Sequence, residues 1–199
     1  AQQLVLDLLT LQVPRIEAEG VVVFSVLMAF WSELFDMLKL CGRLKDGEIV
    51  DNAELRLQGF LDQAAALWVG AEQEKSSSST GFMLYNLAQN AGEQFNQIQD
   101  RGETLINELV FEMFLGLQSK ISKGSCAQYQ GYKSIRNQVK LLVTYSNTVL
   151  VQMLIHRIEE DNARKADFAE MYTLALLPQL SVCDRGAYDN LLGEVVATS

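Results

Sequence analysis

A chain of 199 residues with 49% hydrophobic and 21% charged content fits one packed domain and is too apolar to be intrinsically disordered. Its 25 acidic residues outnumber 16 basic ones, for a net charge of −9; nucleic acid and anionic lipid surfaces both call for the opposite sign. The mean hydropathy of +0.07 is high for a soluble protein, and the excess apolar content must go to a large core, a ligand cavity or a partner surface.

Only Pro14 and Pro178 interrupt the chain as prolines, which suits long helices. Leu4, Leu8 and Leu11 share one helical face over residues 2–12, and Pro14 ends or bends that segment. The chain opens on Ala1 with no basic stretch followed by an apolar one, so the expectation is a processed N-terminus or a fragment.

The next helix is expected from about 15 to 41, with Gly42 as the left-handed residue that stops it. From Val21 to Trp31 its only hydroxyl is Ser25, and its polar positions Ser25, Ser32, Glu33, Asp36 and Lys39 form one narrow stripe. A helix this apolar around its girth belongs at the centre of a bundle. The alternatives are a helix lining an apolar ligand cavity and one that enters a membrane conditionally. Against the latter, the uninterrupted apolar run falls short of the ~20 residues that span a bilayer.

Asp51 and Glu54 have capping-box spacing, and the helix after them, about 52–72, places Leu55, Phe60, Leu61, Ala64, Leu67 and Trp68 largely on one side. Residues 75–81 (KSSSSTG) read as an exposed, flexible loop, with Ser79 or Thr80 capping the next helix. Leu84, Ala88, Ala91, Phe95, Ile98, Gly102, Leu105 and Leu109 then alternate steps of four and three, the period of a coiled-coil seam. The expectation is one long helix, about 81–122, running unbroken or kinked near Gly92 or Gly102. The small seam residues Ala88, Ala91 and Gly102 are candidate contacts for a partner helix.

After a turn at 124–131, residues 132–160 carry Ile135, Val139, Leu142, Val149, Met153 and His156 near one helical face. The β-branched stretch 141–155 has a hairpin as its alternative, but the period favours helix. A helix at about 166–177 is expected to end before Pro178, and a last one covers about 185–196 through Tyr188, Leu191, Leu192 and Val195.

Together these elements predict an all-α domain of about five to six helices. The chemistry-bearing residues are sparse. A single histidine, His156, excludes two-histidine metal sites within one chain; with Glu160 at i+4 it is expected to form a helix-face pair. There is no CxxC, GxSxG, P-loop or GxGxxG motif. No metal site, cofactor or catalytic group is expected.

Of the three cysteines, Cys41 closes an apolar helix and is expected to be buried, while Cys126 and Cys183 lie in polar turns. In an oxidising compartment Cys126–Cys183 is the preferred bridge; the alternative is three free thiols. The residence expected on that reading is extracytoplasmic, secreted or in an organelle lumen. Lys133, Arg136 and Lys140 make a small basic stripe expected to be solvated. Tyr129 and Tyr132, in the loop before the helix, are either partner anchors or packing at the bundle end. The function expected from these observations is a non-enzymatic interaction or structural protein, a subunit of a larger assembly with protein partners. Its alternatives are a carrier of a lipid or pigment held between helices and a membrane-active helical protein.

Overall fold

The architecture is taken from a computed structural model that describes residues 19–159 and 165–198. The helix expected at 2–12, on Leu4, Leu8 and Leu11, lies outside the described residues. Among those described there are seven helices and no strand, an all-α bundle. We label them α1 (Glu19–Lys45), α2 (Ala53–Val69), α3 (Leu84–Gln94), α4 (Leu105–Ser122), α5 (Tyr129–Glu159), α6 (Lys165–Cys183) and α7 (Arg185–Thr198).

The expected central helix is there, displaced and longer than its apolar run. It opens with a wide turn at Val22–Val26, where Leu27 N–H donates to Val22 O. It also runs through Gly42, which sits under the Tyr132 ring, so Gly42 is not its stop. Asp46 is the cap, and Gly47, at φ +82°, is the left-handed residue after it. Glu48 N–H donates to Arg43 O and Gly47 N–H to Leu44 O, both at 3.1 Å, a complete Schellman ending. Phe30, Leu34, Met37 and Cys41 have no exposed surface. Phe30 meets Trp68 of α2 at 5.4 Å between ring centroids and the edge of Phe114 of α4 at 6.4 Å. Trp31 Nε1 donates to Ser146 Oγ of α5 at 2.9 Å. α1 thus packs against α2, α4 and α5 at once.

The expected 81–122 helix is two helices. α3 stops at Gln94 because Asn96 takes a left-handed φ of +52°. Gln97 N–H then donates to Gly92 O at 2.8 Å and Asn96 N–H to Glu93 O at 3.4 Å, the same ending with Asn in place of Gly. The connector returns through a tight turn at Gly102 (φ +84°), with Ile98 and Thr104 paired as a lone antiparallel bridge. The seam positions are therefore divided between α3, the connector and α4.

Other boundaries differ from the sequence reading for local reasons. The Asp51–Glu54 capping box does not form, because Asn52 caps α2 from a left-handed backbone without a side-chain bond. Leu55 points to solvent while Leu57, Leu61, Ala64 and Trp68 are buried. Met83, rather than Ser79 or Thr80, precedes α3, again with no side-chain cap. α5 is a single helix of 31 residues that already includes Tyr129 and Tyr132, so these tyrosines occupy its first turn and not a loop. α6 passes through Pro178 instead of ending before it. Burial of Leu176 and Leu177 on the preceding turn holds the helix there against the missing donor, a defect of about 3 kcal/mol in an isolated helix.

The bundle ends are tied by covalent and ionic links. Cys126, in a short 3₁₀ turn at Ser125–Ala127, is bonded to Cys41 of α1 with the Cα atoms 4.9 Å apart. Cys126 therefore does not pair with Cys183. The turn that looks polar in sequence carries its cysteine into the core, where both bridged residues are buried. At the opposite end Arg157 of α5, also buried, pairs with Glu19 at the start of α1 and lies 4.4 Å above the Phe168 ring of α6. Tyr172 Oη donates to the second Glu19 oxygen at 3.1 Å.

Candidate interaction surface

The polar groups of the interior form a connected lattice around α3. Trp68 Nε1 donates to Asn107 Oδ1 at 3.1 Å; Asn107 Nδ2 donates to Tyr85 O at 3.2 Å and Gln89 Oε1 at 3.3 Å. Gln89 Nε2 donates to Gly102 O at 2.9 Å, and Gln89 Oε1 also accepts from Thr104 N–H. Tyr85 Oη donates to Glu103 Oε1 at 3.2 Å while accepting from Ser76 N–H at 2.9 Å, and Lys75 Nζ pairs with the other Glu103 oxygen at 3.2 Å. Burial pushes the Tyr85 phenol above its ordinary pKa, the Ser76 N–H opposes this, and the Glu103 charge adds to the rise. The serine-rich segment is consequently not a loose tether. Its backbone is held by Tyr85, by Asn86 Nδ2 at Ser78 O and Thr80 O, and by Gln73 Nε2 at Ser77 O.

None of these groups is arranged as a nucleophile beside a base. No cluster of three or more His, Cys, Asp or Glu side chains with metal-binding geometry occurs among the described residues. His156 is half-buried on α5, and its expected partner Glu160 lies outside the described residues. An open groove of about 460 Å³ runs between the 99–103 connector and α4. Its walls carry Asp100, Glu103, Glu108 and Glu112 beside Phe111 and Leu115, a lining ill suited to an apolar ligand.

The candidate contacts fall in different places. Ala88 and Ala91 are buried within the chain's own core, and Gly102 is a turn residue against Ser76. They pack this chain, so the seam is internal. Tyr132 packs on the core with Lys45 Nζ 5.0 Å from its ring centroid, the bundle-end role. Tyr129 alone of that pair is open, at 67% exposed. Lys133, Arg136 and Lys140 are exposed, as expected.

The surface that the sequence reading missed is the outer face of α5. Leu141, Thr144, Thr148, Val151, Ile155 and Ile158 are all exposed and recur in steps of three and four. They lie opposite the buried row Ile135, Val139, Leu142, Ser146, Val149 and Met153. The four aliphatic members are between 39% and 47% exposed. No charge falls on the stripe, although an ordinary solvated helix face carries several. Its signal was present in the spacing, hidden by the stronger inward row on the same helix. α1 has a second apolar exposure, with Phe24, Met28 and Phe35 turned outward among its polar stripe. On that stripe partial burial, reinforced by nearby Asp36, raises the Glu33 carboxyl above its usual pKa.

No protein family, curated protein or solved structure matches this chain.

Proposed function

We propose that this chain is a non-enzymatic helical protein that acts through protein–protein contact, as one component of a larger assembly. The observation that carries the reading is the outer face of α5, an uncharged seam of six exposed positions about 26 Å long that no other described helix covers, on a chain of net charge −9. Desolvating four aliphatic side chains and two threonines favours association, and such seams are how helices find helices. Light scattering combined with chemical crosslinking of the native protein tests it. A particle heavier than the 22.2 kDa chain is the expected result, and a strictly monomeric chain that retains no partner would overturn it.

A second reading has its own observation. α1 is 27 residues long with a mean hydropathy of 1.8 over its most apolar window, long and apolar enough by length and composition to cross a bilayer, and only 44% of that window is buried. The uninterrupted run counted in the sequence understates it. Its outward Phe24, Met28 and Phe35 suit insertion into an apolar phase. Dye release from neutral and anionic vesicles across a range from about pH 4 to about pH 8 tests this, and intact vesicles throughout would sink it.

A further inference from the structure

We propose that the outer face of α5 is a self-docking surface, meeting α5 of a second copy of this chain in antiparallel orientation about a two-fold axis near residues 149–150. The inference rests on the protein–protein reading above and adds the identity of the partner. Three properties of the helix select a second copy. First, the stripe steps by three, four, three, four and three residues from Leu141 to Ile158, a series that reads the same from either end. An antiparallel copy therefore sets Leu141 against Ile158, Thr144 against Ile155 and Thr148 against Val151, with every stripe residue facing another. A C2 contact requires this self-complementarity.

Second, charge is segregated along the helix. From Tyr129 to Ile158 there is no acidic residue, and exposed Lys133, Arg136 and Lys140 all lie in its first half. Exposed Glu159 closes it, and the cation two residues before it, Arg157, is buried and paired with Glu19. An antiparallel copy brings the basic end of each helix to the acidic end of the other, twice per dimer. A parallel copy would stack three cations on three cations. Third, an unrelated acidic segment would satisfy the basic end alone, whereas a second copy satisfies both ends at once. Opposed helix dipoles favour the same orientation. A contact of this length lies at the small end of stable interfaces, so the dimer forms and dissociates with concentration.

The test is the mass of the intact chain by sedimentation or light scattering from about 1 to about 100 µM at low salt, where mass action reveals a weak dimer. A concentration-dependent dimer is expected. Val151→Glu, at an exposed position the fold tolerates, is expected to raise its dissociation constant at least about tenfold with unchanged circular dichroism. Lys140→Glu should weaken it, and adding Glu159→Lys should restore it. Zero-length carbodiimide crosslinking should join Lys140 to Glu159. The two lie about 28 Å apart along one rigid helix, so only two copies can yield that product.

A monomer at every concentration overturns the proposal, as does a dimer indifferent to Val151→Glu. A dimer that Val151→Glu dissociates, but without charge rescue and without the Lys140–Glu159 product, overturns the antiparallel arrangement. A monomer holding a different protein that Val151→Glu releases leaves the broader reading standing and this one fallen.

Discussion

Asn107 shows what one amide does inside an apolar bundle. It is fully buried, accepts from the Trp68 indole and donates to Tyr85 O and Gln89 Oε1. Asn107→Leu keeps the volume but strands the Trp68 indole N–H, a desolvated donor with no replacement. The expected loss is about 2–3 kcal/mol of unfolding free energy, read from urea denaturation with an unchanged slope. Tyr85 makes a different prediction, because its phenol is pushed up by burial first and by Glu103 as well. The folded state then holds the phenol proton more tightly than the unfolded chain does. That contribution is complete below the ordinary tyrosine value of about 10 and is lost as pH rises through the higher folded value. Stability should fall above about pH 10, and Tyr85→Phe should reduce that fall relative to the parent. These roles were illegible in the sequence. The stretch from Asn86 to Gln99 is rich in amides, and nothing local says that Gln89 turns inward to meet Asn107, 18 positions away.

At the scale of the element, periodicity found the helices and missed where they stop. The 4-3 spacing from Leu84 to Leu109 runs across a break, because a left-handed Asn96 ends α3 without disturbing the apolar count. Gly47 ends α1 in the same way after Gly42, the more obvious glycine, has been absorbed into the helix. Two glycines inside helices give opposite predictions. A Cβ at Gly131 in the first turn of α5 would lie 2.1 Å from the Ser125 carbonyl oxygen, which is backbone and has little room to yield. Gly131→Ala should cost about 1–3 kcal/mol through displaced backbone. Gly59 in α2 has nothing within 4 Å of such a Cβ, so Gly59→Ala should add about 0.5–1 kcal/mol from helix propensity alone. Thermal denaturation of the two variants beside the parent checks both signs.

For the whole molecule, the all-α class and the central position of α1 were legible, since a helix apolar on most sides has nowhere else to go. The disulfide partner was not. Cys41 and Cys126 stand 85 residues apart, and their meeting depends on how the end of α1 packs against the turn between α4 and α5. Closing a loop of that length constrains the unfolded chain, and bridges of this kind contribute about 2–4 kcal/mol. Denaturation with and without reductant should show a loss of that size, reproduced without reductant by Cys41→Ala with Cys126→Ala. Cys183→Ser should leave the reductant effect intact, the outcome that separates the observed bridge from the one favoured by the sequence.

The same bond makes residues 41–126 a closed covalent ring that contains α2, α3, α4 and the serine-rich segment. A single backbone nick in that segment would open the ring without dividing the molecule. Both fragments would migrate as one species until a reductant cleaved Cys41–Cys126, and the polar lattice on Tyr85 and Asn107 would still hold the cut ends in register.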